Sequence, residues 1–345
     1  MARESRREFI KNGIALASAV VAAPTARANT DNVNPPYETR SSVRAPWVPV
    51  RVVDTERMPW QWVPVSNPEM AKYQSGRKYL FEDKETKAHL VITLIPPGWP
   101  GAPVHYHIFH EWGYKLSGDG ANNESTHPHQ YYGPLMRFRE GHFLSRPAYS
   151  LHGGERGRQD FMRAQIGGSW FFMEEGDVAK GTFTTEQGTT MTYNPDYKKV
   201  KQWTVPRIID TIGEMPWQPE GSVPGLHIKH LVDDQSRGFR ATLWWLEPGW
   251  KSSQGQQFAR AYYYKQGYQF NFVLAGDMKI QTYRAPGEKA EQIALSRYFF
   301  IERAPMSIFG LFDGVVTERG CVWLEATYGK GATVSTTPIE EPNFV

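Results

Sequence analysis

The stretch VVDTERMPWQW, Val52 to Trp62, returns later in the chain as IIDTIGEMPWQP, Ile208 to Pro219. A sequence that repeats itself must build the same supersecondary unit twice, which excludes most single-domain folds at once. Three shorter echoes follow in the same order. IPPGW (Ile95 to Trp99) returns as LEPGW (Leu246 to Trp250), KLSGDG (Lys115 to Gly120) as VLAGDM (Val273 to Met278), and SRPAYS (Ser145 to Ser150) as ERAPMS (Glu302 to Ser307). The spacing between copies stays between about 151 and 158 residues. Each match is weak alone, but four in one order imply two copies of one domain, over 51–205 and 206–345. The join falls near KKVKQWTVP, Lys198 to Pro206, and the Pro- and Asn-rich residues 29–50 are expected to form an extended arm.

The local pattern within a copy is β. KAHLVITLIPPGW is a strand stopped by Pro-Pro-Gly, HEWGYKLSGDG a strand ended by a Gly-Asp-Gly turn, and MRFREGHFLSRP a strand broken at Gly141 and closed at Pro147. QIGGSWFFMEEGD, Gln165 to Asp177, supplies a later strand. With 31 glycines, 25 prolines and no long helical period, many short strands at even spacing point to a barrel or jelly roll.

Residues 1–28 stand apart. SRREFIK precedes an uncharged stretch, NGIALASAVVAAPTA, and then an A-x-A site at Ala26-Arg27-Ala28. This resembles a bacterial twin-arginine export signal through Ser5, Arg6, Arg7, Phe9 and Lys11. The apolar run of roughly 15 residues is short of the roughly 20 that a membrane span needs, so no stable span is expected. The resemblance implies a periplasmic or secreted protein that meets the twin-arginine export machinery already folded and with its cofactor in place. The first 28 residues hold five Arg and Lys against two Glu, which accounts for the whole formal charge of +3. The remaining chain is near neutral and gives no basis for nucleic-acid binding. A lone cysteine, Cys321, cannot form an internal disulfide and reads as a small buried residue of a strand.

The chemistry concentrates in HYHIFHEWGYKLSGDG, His105 to Gly120. On a strand, His105 and His107 point to one side, Glu111 keeps their parity, and His110 and Trp112 face the other way. Two imidazoles and a carboxylate on one face suit a divalent metal. A further imidazole comes from GHFLSRPAYSLHGG, which carries His152. The pair of patterns, His105-x-His107-x3-Glu111-x6-Gly118 and then Gly141-x5-Pro147-x4-His152, is similar to the two-part metal motif of the cupin superfamily. The resemblance implies an all-β protein of two cupin (jelly-roll β-barrel) domains in tandem, with one divalent metal ion held by His105, His107, Glu111 and His152. Departures are confined to turns: a motif glycine falls one place early at Gly98, Tyr149 stands where a glycine is usual, and Arg156 where an asparagine is usual. In the second copy the spacing carries Gly118 to Gly276 and Pro147 to Pro305, but His105 to Tyr263, His107 to Lys265, Glu111 to Gln269 and His152 to Gly310. The second domain is therefore expected to keep the fold and lack the metal, with Tyr263, Lys265, Gln269 and Asn271 as a polar filling or a small-anion site.

Among the remaining histidines, His127 and His129 lie in a loop that reads as a flap or as plain solvent-exposed chain, and His89, His142, His227 and His230 have no ligand pattern. Three histidines and one carboxylate leave coordination positions open, as catalytic sites do. Family members of this kind include dioxygenases of flavonols and enediols, oxalate enzymes, isomerases and lyases, and the fold does not choose among them. Acquisition of metal in the cytoplasm favours iron or manganese, with zinc, nickel and copper also compatible with the ligands. Tyr106, Phe109, Trp112, Tyr114, Tyr149, Trp170, Phe171 and Phe172 surround the motif and favour an aromatic small-molecule substrate. The expectation is an exported metal-dependent dioxygenase for a phenolic or enediol substrate, with Glu111 as ligand and as proton acceptor. The alternatives are a redox-neutral lyase or isomerase and a non-catalytic periplasmic binder. Oligomeric state is open, since two barrels in one chain can imitate a cupin dimer.

Overall fold

A computed structural model describes residues 47–64, 74–99, 101–127, 130, 133–154, 166–189, 191–221, 223–252, 262–264, 266–285, 288–308, 315–329 and 336–338. The export signal, nearly all of the 29–50 arm, His129, Arg156, Lys265 and Gly310 lie outside the described residues. None of the described helices is long and apolar enough to cross a membrane. The chain forms two compact β units: among the described residues, one holds 47–57 and 217–338, the other 58–216. The fold is two all-β units in tandem, as the turn spacing and the repeat predict.

The unit of residues 58–216 is organised by the 14-residue strand Glu111–Glu124. Its first half lies between Gly168–Glu174, where Glu111 faces Glu174, and His142–Arg146, where Glu111 faces Arg146. Its second half pairs with Leu135–Arg139 and His152–Gly153. The change of direction falls at Gly118, whose φ is 71°. A Cβ there would lie 1.9 Å from the Gly167 carbonyl oxygen, so no other residue fits. Gly276 repeats this feature in the other unit, with φ 81° and a Cβ position 1.8 Å from the Gly320 oxygen. It bends the equivalent 15-residue strand, Tyr268–Thr282.

The repeat also extends to side chains. Thr55 Oγ1 donates to the Tyr298 carbonyl, and Thr211 Oγ1 to the Gly141 carbonyl, each at 2.6 Å. Lys78 Nζ sits 4.4 Å from the Trp60 ring centroid, and Lys229 Nζ 4.4 Å from that of Trp217. The domain boundaries differ from those expected at 51–205 and 206–345. Arg51–Asp54 pairs with Phe299–Arg303, and Arg207–Asp210 pairs with His142–Arg146. Each sequence repeat therefore opens with a strand that pairs with a strand of the other repeat. Sequence similarity identifies the segment but not the sheet edge it joins.

Directly paired residues share a face of a sheet. Glu111, Gly113 and Lys115 thus lie on one face with Glu174, Phe172 and Trp170, and beyond these with His89, Val91 and Thr93. This face carries an apolar cluster of Phe138, Leu144 and Trp170, with Phe172 and Ile208 packed against it. Trp112 and Phe171 pack together on the opposite face. The other unit buries its own core around Leu246, Val273, Ile301 and Trp323. Cys321 belongs to that cluster, and burial pushes its thiol pKa up, consistent with an inert packing residue.

Lys115 is fully buried among these apolar groups, its Nζ 5.0 Å from the Trp170 centroid and without a hydrogen-bond acceptor. Val273 fills the corresponding place in the other barrel. Burial lowers the Lys115 pKa from 10.5 to about 7, with Asp119 opposing weakly. The unfolded chain holds this proton up to pH 10.5 and the folded chain releases it near 7. Stability therefore rises across that window and is lost again as pH falls toward 7. Lys115→Met is expected to stabilise the protein at pH 7 by on the order of 3 kcal/mol and to flatten the rise between pH 7 and 10. Urea denaturation at both pH values checks this, and an unchanged slope in the variant would contradict it.

Candidate metal centre

Three strands bring the predicted ligands together. His105–His107 lies beside His152–Gly153, with His105 directly opposite His152, and Glu124 lies opposite His152 on its other side. The ring nitrogens of His105, His107 and His152 lie within 4.8 Å of one another, and all three residues are buried. Their ring centroids are 5.1, 4.1 and 5.3 Å apart for the 105–107, 105–152 and 107–152 pairs. Glu111 joins them, with Oε2 3.3 Å from His107 Nε2 and Oε1 3.3 Å from His152 Nε2. The three imidazoles thus cluster, and Glu111 borders two of them, His107 and His152.

The outer ring nitrogens are already engaged. His105 Nδ1 donates to the Pro103 carbonyl at 2.7 Å, and His152 Nδ1 donates to the Ser150 carbonyl at 2.9 Å. His107 Nδ1 shares a 2.8 Å hydrogen bond with Thr182 Oγ1. Protons fixed on Nδ1 of His105 and His152 leave the Nε2 lone pairs pointing inward, the arrangement that ligand histidines adopt. Burial holds the His105 pKa down at about 3, with His107 adding to the effect. Burial, together with Arg146, lowers that of His152 well below its ordinary value. Neutral imidazoles with inward lone pairs fit a divalent cation.

Arg146 anchors the fourth group. Its Nη1 donates to Glu111 Oε1, its Nη2 to Glu124 Oε1, and its Nε to Glu124 Oε2 at 3.0 Å. All three residues are nearly inaccessible to solvent. Burial alone would raise the Glu111 pKa, but Arg146 and the neighbouring imidazoles outweigh it and hold the carboxyl well below the usual range. The carboxylate is ionised, fixed at one oxygen, and free to offer the other.

A second carboxylate lies beside the first. A Glu174 oxygen falls within 4.8 Å of both a His107 ring nitrogen and a Glu111 oxygen. Its Oε2 is 2.9 Å from His89 Nε2. Burial works against charge on both, but the pairing wins: the His89 pKa is raised and the Glu174 pKa lowered. His89 is thus part of the site's surroundings, contrary to its expected ordinary role, and Glu174, Arg146 and Glu124 enter the site without any sequence pattern.

The other expectations divide. His110 faces away, as its parity predicts, bonded to Ser145 Oγ at 2.8 Å and paired with Glu175 at 2.9 Å. His127 and His230 are exposed, His142 donates to the Arg139 carbonyl, and His227 stacks on Trp245. Most of the aromatic residues pack elsewhere. Tyr106 and Tyr149 join a cluster with Trp203, Trp112 packs at a tilt against Phe171, and Tyr114 hydrogen-bonds Thr211. Phe109 is the one that touches a ligand, stacked on His107 at 4.9 Å. Tyr149 takes the left-handed backbone, φ 66°, that the glycine usual at its position would favour, and Met306 does the same in the repeat.

In the second barrel, Gln269 lies opposite Arg303, as Glu111 lies opposite Arg146, and accepts from Arg303 Nη1 at 2.8 Å. A neutral amide therefore replaces the carboxylate. Asn271 donates to Gln269 at 3.5 Å, and nothing is described of the side chains of Tyr263 and Lys265.

No protein-family model matches the chain, and no curated protein sequence does. Solved structures do resemble it. Oxalate decarboxylase from Bacillus subtilis superposes with a TM-score of 0.51 at 12% identity, over 84% of this chain and 78% of that one. A proposed dioxygenase from Nostoc punctiforme gives 0.54 at 12%, over 85% and 87%. The coconut allergen cocosin gives 0.50 at 10%, over 83% and 88%. At these identities the likeness establishes the two-barrel fold alone, and it spans enzymes and a non-enzyme name.

His105→Ala and His152→Ala are each expected to reduce cobalt(II) retained after gel filtration from about one ion per chain to below about a tenth. Retention near one in both variants would contradict the ligand assignment. The depressed pKa of His105 makes a pH statement too. Its contribution to stability is complete above pH 6.5 and is lost as pH falls toward about 3. Metal-free protein should therefore melt at progressively lower temperature below pH 6.5, and a melting temperature flat down to pH 4 would contradict this.

Proposed function

We propose that the chain is an exported, metal-dependent bicupin enzyme that combines a phenolic or enediol small molecule with dioxygen. The observation that carries the reading is the buried cluster of three imidazoles, two of which hold Nε2 3.3 Å from an arginine-anchored carboxylate. Four protein ligands leave room for substrate on an ion that takes about five or six ligands, such as iron or manganese, whereas they would close the shell of a tetrahedral one. An iron or manganese ion bound there would supply Lewis acidity and an electron reservoir for dioxygen.

The residues divide the remaining work. Pro103, Thr182 and Ser150 set the orientation of the three rings through their Nδ1 atoms. Arg146 keeps Glu111 ionised and in place, a state that suits a ligand and not a proton acceptor. Partly exposed Phe109, stacked on His107, offers an apolar wall for an aromatic ring. Arg6, Arg7 and the apolar stretch that follows support twin-arginine export to the periplasm.

Oxygen uptake by the metal-loaded protein, measured with catechols and flavonols at an oxygen electrode, tests the reading. Uptake dependent on substrate, and reduced at least about a hundredfold in the His105→Ala/His152→Ala double variant, is the expected result. Uptake that survives the double substitution overturns it. Conversion of substrate under strict anaerobiosis would select a redox-neutral lyase or isomerase, and binding without conversion would select a carrier.

A further inference from the structure

The carboxylate of Glu174 is not needed to complete the ligand set. It lies opposite Glu111 in strand register, on the same face of the sheet, and reaches to within 4.8 Å of the ligand atoms of His107 and Glu111. Only its Oε2 is engaged, by His89 Nε2 at 2.9 Å, and His89 Nδ1 in turn lies 3.3 Å from the Lys87 carbonyl. The side chains of His89 and Glu174 are 13% and 11% exposed, against 3–6% for those of His107, Glu111 and His152. The pair is therefore slightly more exposed than the ligand cluster it borders.

The fold does not require a carboxylate at this position. In the other barrel, Thr327 occupies the place opposite Gln269 and donates its hydroxyl hydrogen to the Gly238 carbonyl. The ion-paired Arg146 is committed to Glu111 and Glu124 and does not neutralise Glu174. A molecule bound beside Glu174 thus meets the Oε1 of a carboxylate whose Oε2 is paired with His89. A hydroxyl can donate to it, whereas a dianion must place its own charge a few ångströms away in a site of low dielectric.

We propose that Glu174, held in position by His89, is the substrate-contacting group that accepts a hydrogen bond from the hydroxyl of a neutral enediol or phenol and disfavours dicarboxylate dianions. This rests on the reading of the site as a metal centre for such substrates. Glu174 contacts the substrate, and His89 acts through Glu174 as a positioning residue. A site built around a hydrogen-bonded hydroxyl discriminates strongly against molecules that lack one.

The test uses the full chain loaded with cobalt(II), whose visible spectrum reports ligand binding without turnover. Catechol and oxalate are titrated separately at pH 7 into the native protein and into Glu174→Gln, Glu174→Asp and His89→Gln. Glu174→Gln should weaken catechol at least about tenfold and tighten oxalate by about tenfold, opposite shifts that a loss of folding cannot produce. Glu174→Asp should retain the preference for catechol, and His89→Gln should weaken catechol without tightening oxalate to the same degree. Shifts in the same direction for both probes, or no shift in either, overturn the proposal. So does loss of cobalt from Glu174→Gln with Glu174→Asp still loaded, since Glu174 would then be a ligand. If Glu174→Gln does not fold, the Glu174→Asp and His89→Gln titrations decide, and catechol affinity unchanged in both overturns the proposal. Opposite shifts in a protein that shows no oxygen uptake would uphold the role of Glu174 and reject the oxygenase reading.

Discussion

A single buried guanidinium ties together the two ends of the long strand of the 58–216 unit. Arg146 binds Glu111 and Glu124, the first and last residues of one 14-residue strand. Fully extended, those ends would lie roughly 43 Å apart. Their meeting at one side chain requires the strand to bend, and Gly118 is where it does so. The same contact fixes the Glu111 carboxylate in the position from which it can serve a cation. Barrel closure and ligand placement are thus one interaction. Removing a member of a buried charged set costs about 3–5 kcal/mol because the remaining charges stay unpaired, so this is also the part of the unit least tolerant of change.

The second barrel separates the two roles. It retains the bend at Gly276 and the arginine, Arg303, opposite the first inward residue of the long strand. It replaces the carboxylate by Gln269, and that amide accepts the hydrogen bond without offering a charge. The barrel needs the bend and a hydrogen-bonded pair; the carboxylate and the imidazoles belong to the chemistry. Lys115 and Val273 make the converse comparison, with an apolar residue in the second barrel where the first buries an amine.

The sequence was most informative where strand period and residue chemistry agree. His105 and His107 keep one parity on a short strand, and the strand breaks at 108–110 before Glu111 opens the next one beside His107. Gly118 and Gly276 lie inside long strands and not in the strand-ending turns expected, at positions that no side chain could occupy. Glu124 was not legible, because the bend between it and Glu111 breaks the alternation that parity relies on. Glu174 was hidden for a different reason. Trp170, Phe171, Phe172 and Met173 precede it, and a strand buried on both faces carries no sign of which residue faces the site. His89 becomes meaningful only through Glu174, a pairing between residues on adjacent strands. The exchange of Arg51–Asp54 and Arg207–Asp210 between units was equally inaccessible, since repeat similarity is blind to pairing. Aromatic density near the motif misled for a related reason: neighbours in sequence on a strand alternate faces, so most of those rings pack away from the ligands.

The central claim is that His105, His107, His152 and Glu111 hold one divalent ion and leave it open to solvent or substrate. X-ray absorption of the cobalt-loaded chain measures this directly. The account predicts about five or six light-atom ligands, with the outer-shell scattering of three imidazoles and at least one exchangeable water. A closed four-coordinate ion without exchangeable water, or an ion with fewer than three imidazoles, would contradict it.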